Sequence, residues 1–265
     1  MLQTTKILNV GITNETEKKV LEYFFERIKK GSEKTFLITP NPEMLVYANT
    51  HLAYQDKLNK ADIALPDGIG LFIAGGILGD PLQERIAGVD FVEKLCREAK
   101  ENPLSMGFLG GKDGVANHAA ERLLKKYPWL DIVFVGPEWD DKGFLWKKEQ
   151  RSKLGTTQKQ KNGIIPQKGK QHAGMIDILF VAYGVPKQEE WIYEHLPQLP
   201  VKAAIGVGGA FDYLSGTVHR APFIIRFFGF EWLFRLIIQP WRFRRQLALL
   251  TFISLVFKEK FSKTS

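Results

Sequence analysis

Two periods of apolar and polar positions alternate along the chain. Short, nearly continuous runs of β-branched and aromatic residues predict strands at 7–12, 36–39, 63–65, 106–109, 132–135, 178–182 and 203–207. Between them apolar residues recur at helical spacing at about 16–30, 42–50, 88–100, 114–127 and 187–195. Wholly apolar strands alternating with helices predict a parallel sheet with helices on both faces, a Rossmann-like α/β fold. The pattern changes after Gly216. Residues 1–216 read as the catalytic α/β domain, and residues 217–265 as a C-terminal basic amphipathic helical appendage.

Ligands of such sheets bind outside the carboxyl ends of the strands, and the loops there are chemically pointed. They read Thr39-Pro40-Asn41-Pro42-Glu43, Pro66-Asp67-Gly68, Gly110-Gly111-Lys112-Asp113-Gly114, Gly184-Val185-Pro186-Lys187-Gln188-Glu189 and Gly208-Gly209-Ala210-Phe211-Asp212. Glycine lets the backbone approach a ligand closely, and the helix that follows offers free N–H groups that suit a phosphate. Residues 152–174 differ: rich in Gly, Gln and Lys, without an acid, they are expected to form a mobile insertion loop.

Charge matters once it is located. Between Thr217 and Ser265 nine basic and two acidic side chains account for +7 of the net +8, amid nine Phe and two Trp. The longest apolar run there, 247–257, is shorter than the roughly 20 residues that span a bilayer. A basic, aromatic-rich segment of this kind fits a helix lying in an anionic membrane interface; packing as core helices is the plainer alternative. Basic–aromatic interleaving also suits single-stranded nucleic acid, but the body of the chain carries almost no net positive charge, so no nucleic-acid partner is expected. One cysteine, Cys96, excludes an intrachain disulfide, and the first residues lack the pattern of a signal peptide; a cytoplasmic location is expected.

Several familiar chemistries are absent. The 107–113 segment is one residue short of a P-loop and has Asp113 where Ser or Thr is required. No strand leads into a dinucleotide fingerprint, no Cys/His group has zinc spacing, and there is no Asp-x-Asp pair to hold a metal on a diphosphate. No metal and no cofactor are therefore expected, and a leaving diphosphate would be neutralised by Arg, Lys and helix N-termini. Arg85, Arg235, Arg242 and Arg245 are candidates, each of which also reads as a solvated or lipid-facing charge. Asp67, at a strand end, is the candidate general base; Pro-Asp-Gly is equally a turn sequence and Asp a good helix cap. Gln188 reads alike as a site residue or a first-turn helix residue.

Taken in order, these loops resemble the WecG/TagA/CpsF family of glycosyltransferases, the TagA branch most closely. The resemblance also rests on Arg85-Ile86-Ala87-Gly88-Val89-Asp90, Gly184 through Trp191, Gly206 through Asp212, Arg220-Ala221-Pro222, and Glu231 to Arg235 continuing through Pro240 to Arg245. It implies a metal-independent, inverting transferase that moves N-acetylmannosamine from a UDP-sugar to N-acetylglucosamine on undecaprenyl diphosphate, in wall teichoic acid synthesis. Relatives that use the uronic acid or glucose leave the donor sugar open. The resemblance implies that Asp67 is the base and that Thr39, Asn41, Arg85 and Gln188 line or contact the substrates. Asp212 and the Gly110-Gly111 and Gly208-Gly209 loops would hold the nucleotide, beside Gly184 and Lys187, and Arg235, Arg242 and Arg245 would reach the diphosphates. The protein would then work at the inner face of the cell membrane, bound peripherally through its appendage, with self-association left open.

Overall fold

The computed structural model describes residues 1–111, 114–136 and 175–262, with the backbone alone at 244–246. The expected insertion at 152–174 lies outside the described residues.

The chain opens with a hairpin where the pattern predicted one strand at 7–12. β1 (Thr4–Ile7) pairs antiparallel with β2 (Val10–Thr13), Ile7 opposite Val10, in a two-stranded sheet of its own. The reversal is made by Leu8 and Asn9, at φ 48° and 63°. Leucine is poorly suited to positive φ, and the surrounding contacts hold it there. Gln55 Nε2 donates to the Leu8 carbonyl and Asn59 Nδ2 to that of Asn9, while Asn59 Oδ1 accepts from Gly11 N–H. Tertiary contacts thus hold a turn whose own two residues include no Gly.

The other strands form one parallel sheet: β3 (Thr35–Ile38), β4 (Ile63–Ala64), β5 (Ser105–Gly110), β6 (Asp131–Gly136), β7 (Ile176–Ala182) and β8 (Val201–Gly206), in the order β4-β3-β8-β7-β5-β6. The α/β class read from the alternating pattern is the one observed. Every residue of β3 and β5 is buried, as expected of strands covered on both faces, whereas the edge strand β6 alternates. Leu179 pairs with Gly107 on one side and Ala204 on the other. A Cβ on Gly107 would come within 2.8 Å of Leu179 Cδ1, so glycine there makes room for the larger side chain.

Contacts divide the chain into two compact units. The second comprises Phe24–Leu37 and Val89–Val218 and holds β5 to β8. Its helices include α5 (Gly88–Glu98, from Val89 onward), α6 (Val115–Lys126), α7 (Lys187–His195) and α8 (Ala210–Ser215). Its core is aromatic: Phe108 lies 5.2 Å from Phe180 and 5.4 Å from Phe211, and Phe24 meets Phe91 edge-on. Helix α1 (Glu17–Lys30) starts in the first unit and ends in this one.

The first unit comprises Met1–Tyr23, Ile38–Gly88 and His219–Ser265. It contains the hairpin, α2 (Pro42–Thr50), α3 (Leu52–Leu58), β4 and α4 (Ile69–Leu78), then α9 (Phe223–Phe227), α10 (Glu231–Ile238) and α11 (Phe243–Ser262). Helix α11 packs against α2 and α4 and buries Phe252 and Val256. Its Glu259 Oε2 accepts the Leu8 N–H at 3.0 Å, tying the end of the helix to the hairpin turn. The C-terminal segment is therefore part of a packed unit. It also exposes Phe223, Ile224, Phe227, Phe228, Ile237 and Trp241. Among the described residues no helix is long and apolar enough to cross a membrane.

Candidate active site

In the first unit two loops leave the carboxyl ends of β3 and β4 and are tied together by main-chain hydrogen bonds. Leu65 N–H donates to the Ile38 carbonyl at 2.9 Å, Asp67 N–H to Pro40 at 2.9 Å, and Ile86 N–H to Pro66 at 3.1 Å. These bonds bring Thr39, Asn41, Asp67 and Arg85 into one neighbourhood. Thr39 is buried, and a Cβ on Gly88 would come within 2.9 Å of its Cγ2. Asn41 caps α2, its Oδ1 accepting Met44 N–H at 3.0 Å, ahead of Pro42 in the first turn. That local role was available to any Asn before a helix, and it fixes the side chain.

Asp67 is half-buried, and the N-cap position of α4 falls to Gly68 rather than to it. Gly68 stands at φ 96°, ψ 150°, a conformation open essentially to glycine alone. The backbone turns so sharply that α4 starts hard against α2: a Cβ on Gly70 would lie 2.6 Å from Pro42 Cγ. Pro66 and Gly68 thus act as fixed points on either side of the carboxylate.

Arg85 is half-buried and donates from Nη2 to the Arg226 carbonyl at 3.0 Å, fastening the end of α9. Arg226 Nε in turn donates to the Ala221 carbonyl, and Arg220 pairs with Glu231 at 3.1 Å. The Gly229 turn, at φ 77°, sits where a Cβ would be 2.7 Å from that of Ile69. The 220–231 stretch is therefore laid against the residue that follows Gly68. Among the expected cations, Arg235 donates from Nε to Gln239 Oε1 at 3.3 Å, and Arg242 closes a 3₁₀ turn (Pro240–Arg242). The Arg245 side chain lies outside the described residues. The sequence singled out neither Arg226 nor Gly229 for the site; the only signal was a glycine set among Phe227, Phe228 and Phe230.

In the second unit three loops follow β5, β7 and β8. Gly110 and Gly111 have φ 94° and 78°, and Gly111 N–H donates to the Ala182 carbonyl at 3.1 Å. A Cβ on Gly110 would meet Tyr183 at 2.9 Å. The β7 loop runs through Gly184, at φ 78°, and a cis Val185–Pro186 bond into α7. Gln188 Oε1 accepts from Gly184 N–H at 3.2 Å and from Gly208 N–H at 2.9 Å, so one side chain joins the β7 and β8 loops. Gln188 is 1% exposed, whereas Lys187 beside it faces solvent. Gly209 starts α8, and the Asp212 carbonyl accepts from Ser215, Thr217 and Val218 to close its end. Lys112 and Asp113 lie outside the described residues.

Two titrating groups of this unit sit apart from those loops. Burial and Glu93 push the Cys96 thiol up to about 12, so it carries no thiolate for nucleophilic chemistry. At the amino ends of the strands, burial pushes the Asp177 carboxyl up, but hydrogen bonds from Lys202 and from Ser105 N–H and Oγ hold it below the usual range. Among the described residues no three His, Cys, Asp or Glu side chains gather as a metal-holding group.

The model of the Glycosyl transferase WecG/TagA/CpsF family matches residues 5–265. Similar curated proteins carry the name N-acetylglucosaminyldiphosphoundecaprenol N-acetyl-beta-D-mannosaminyltransferase. The chain is 34% identical to that of Bacillus spizizenii (strain W23) over 226 residues, 85% of this chain and 79% of the relative. It is 31% identical to that of Staphylococcus aureus (strain MRSA252) over 257 residues, 96% and 92% of the two chains. Against that of Bacillus subtilis (strain 168) the identity is 28% over 263 residues, 99% and 94%.

Proposed function

The chain belongs to the WecG/TagA/CpsF family of glycosyltransferases, and from that premise we propose that it moves N-acetylmannosamine from a UDP-sugar to N-acetylglucosamine carried on undecaprenyl diphosphate. The acceptor and sugar are those in the relatives' names, and the product would serve surface-polymer synthesis such as that of wall teichoic acid. The observation that carries the chemistry is the fastening of the Pro66-Asp67-Gly68 loop to the β3 loop and to Ile86, which holds Asp67 at a strand end.

The reaction is a single in-line displacement. The acceptor hydroxyl oxygen forms a bond to the anomeric carbon as the bond from that carbon to the UDP oxygen breaks, inverting the centre. Asp67 takes the hydroxyl proton, and UDP leaves with the electron pair. A positioned base contributes ~10²–10⁴-fold. Charge growing on the diphosphate is met by Arg235, Arg242 and Arg245 and by helix N-termini in place of a metal ion. The glycine turns at Gly110, Gly111, Gly184, Gly208 and Gly209, with Asp212 and Lys187, hold the donor, while Thr39, Asn41 and Arg85 serve the substrates of the Asp67 loop.

The lipid acceptor calls for a protein at a membrane surface. The exposed aromatic side chains of α9 to α11, interspersed with Arg and Lys, suit an interfacial, peripheral association with anionic lipid on the cytoplasmic face. The test is turnover with a panel of UDP-sugars and a synthetic lipid-diphosphate N-acetylglucosamine, with and without EDTA. Preference for UDP-N-acetylmannosamine and indifference to EDTA are expected. Preference for another donor, or loss on chelation reversed by Mg²⁺ or Mn²⁺, contradicts the proposal.

A further inference from the structure

The first turn of helix α7 carries two consecutive polar side chains, Gln188 and Glu189, neither of which has appreciable access to solvent. Burying a carboxyl and an amide is costly unless each is hydrogen-bonded, and here the two are bonded to each other and the amide also to the glycine loops. Gln188 Nε2 donates to Glu189 Oε1 at 2.6 Å. Gln188 Oε1 faces the other way and collects the N–H groups of Gly184 and Gly208. The chemistry of the three contacts permits one orientation of the amide. Turned over, its N–H groups would point at two other donors and its oxygen at a carboxyl oxygen. The sheet leaves space for the pair only because residue 206 has no side chain: a Cβ there would lie 2.9 Å from Gln188 Nε2 and 3.0 Å from Glu189 Oε1.

We propose that Glu189 is a positioning residue of the transferase. By accepting from Gln188 Nε2 it locks the amide so that Oε1 gathers the Gly184 and Gly208 N–H groups, which sets the spacing of two glycine turns that hold the donor nucleotide. Gln188 then acts on the donor through the two loops rather than by touching it. This rests on the transferase reading above. It differs from a general core role for the pair in what it moves: the donor interaction, made before and during the reaction alike, rather than the chemical step. Loss of such uniform binding raises KM and leaves kcat in place.

The experiment measures donor saturation kinetics with UDP-N-acetylmannosamine for full-length Glu189→Leu, Glu189→Gln and Gly206→Ala, together with thermal melts and UDP titration calorimetry. Glu189→Gln retains an oxygen that accepts from Gln188 and should stay within ~3-fold of the unsubstituted protein in donor KM. Glu189→Leu removes the acceptor, and Gly206→Ala displaces the pair with both polar groups intact. Each should raise donor KM and weaken UDP binding by at least ~10-fold, with kcat within ~3-fold. If Glu189→Leu does not fold, Gly206→Ala decides by the same criterion. Unchanged donor KM and UDP affinity in a folded Leu or Ala variant overturns the inference, as does a loss confined to kcat. Failure of both to fold also overturns it, because the pair is then core alone. Unsubstituted protein that neither binds UDP nor turns over sinks the transferase reading itself, an outcome distinct from active protein with unaffected variants.

Discussion

Arg85 gives one guanidinium hydrogen bond to the main-chain carbonyl of Arg226, 3.0 Å away, joining the segment after α4 to the end of α9. Its neighbour Ile86 donates to Pro66, so one short segment touches both the Asp67 loop and the C-terminal elements. Gly229 adds a second fastening, against Ile69. Gly229→Ala puts a side chain at φ 77° into that contact, and an unfolding midpoint in urea lowered by about 1–3 kcal/mol of stability is expected. Unchanged stability would mean that the turn relaxes freely and fastens nothing.

Asp67→Asn is nearly isosteric and leaves in place the main-chain hydrogen bonds that fasten the loop. It should melt as the unsubstituted protein does and bind UDP, while turnover falls by at least ~10²-fold. A folded variant with near-normal turnover removes Asp67 from the mechanism.

The parallel sheet was legible because β3, β5, β7 and β8 are buried over most or all of their length and read as continuous apolar runs. The β1–β2 hairpin was not, because its turn carries Leu8 and Asn9 rather than a glycine, and their conformation is imposed by Gln55, Asn59 and Glu259, far away in sequence. Helix α4 was missed for a related reason: Ile69–Leu78 is apolar all round, with three internal glycines, and shows no helical period. At the candidate site, glycine loops could be found from type and place. The partner of each side chain could not. Gln188 read equally as a ligand contact or a first-turn residue, and only Gly184, Gly208 and Glu189 around it show what it joins.

Asp177 gives a pH dependence with a defined sign. Its folded carboxyl lies below its unfolded value, so the stabilisation from Lys202 and Ser105 is complete above the unfolded value of about 4. It is lost as pH falls through the folded value. Acid titration of unfolding should therefore be shallower in Asp177→Asn than in the unsubstituted protein below about pH 4. Identical acid profiles would show that the ion pair contributes nothing.

The buried and the exposed residues of the C-terminal segment should separate experimentally. Deleting residues from Phe243 onward uncovers the faces of α2 and α4 against which Phe252, Val256 and Leu249 lie, and insoluble protein is expected. Replacing the exposed Phe223, Phe227 and Trp241 by Ser should leave the melting temperature unchanged and weaken co-sedimentation with anionic liposomes. Lys258→Ala and Lys260→Ala should each weaken it by about 1 kcal/mol at low salt. Full-length protein that ignores such liposomes at low salt contradicts a membrane-facing role.

The most direct test of the central claim is mass spectrometry of the lipid product. Purified full-length protein is incubated with UDP-N-acetylmannosamine and a synthetic polyprenyl-diphosphate N-acetylglucosamine. The acceptor should gain one N-acetylhexosamine, one UDP should be released for each lipid converted, and the Asp67→Asn variant should form almost none. UDP release without a glycosylated lipid, or an acceptor left unchanged by folded, liposome-bound protein, would contradict glycosyl transfer to this lipid.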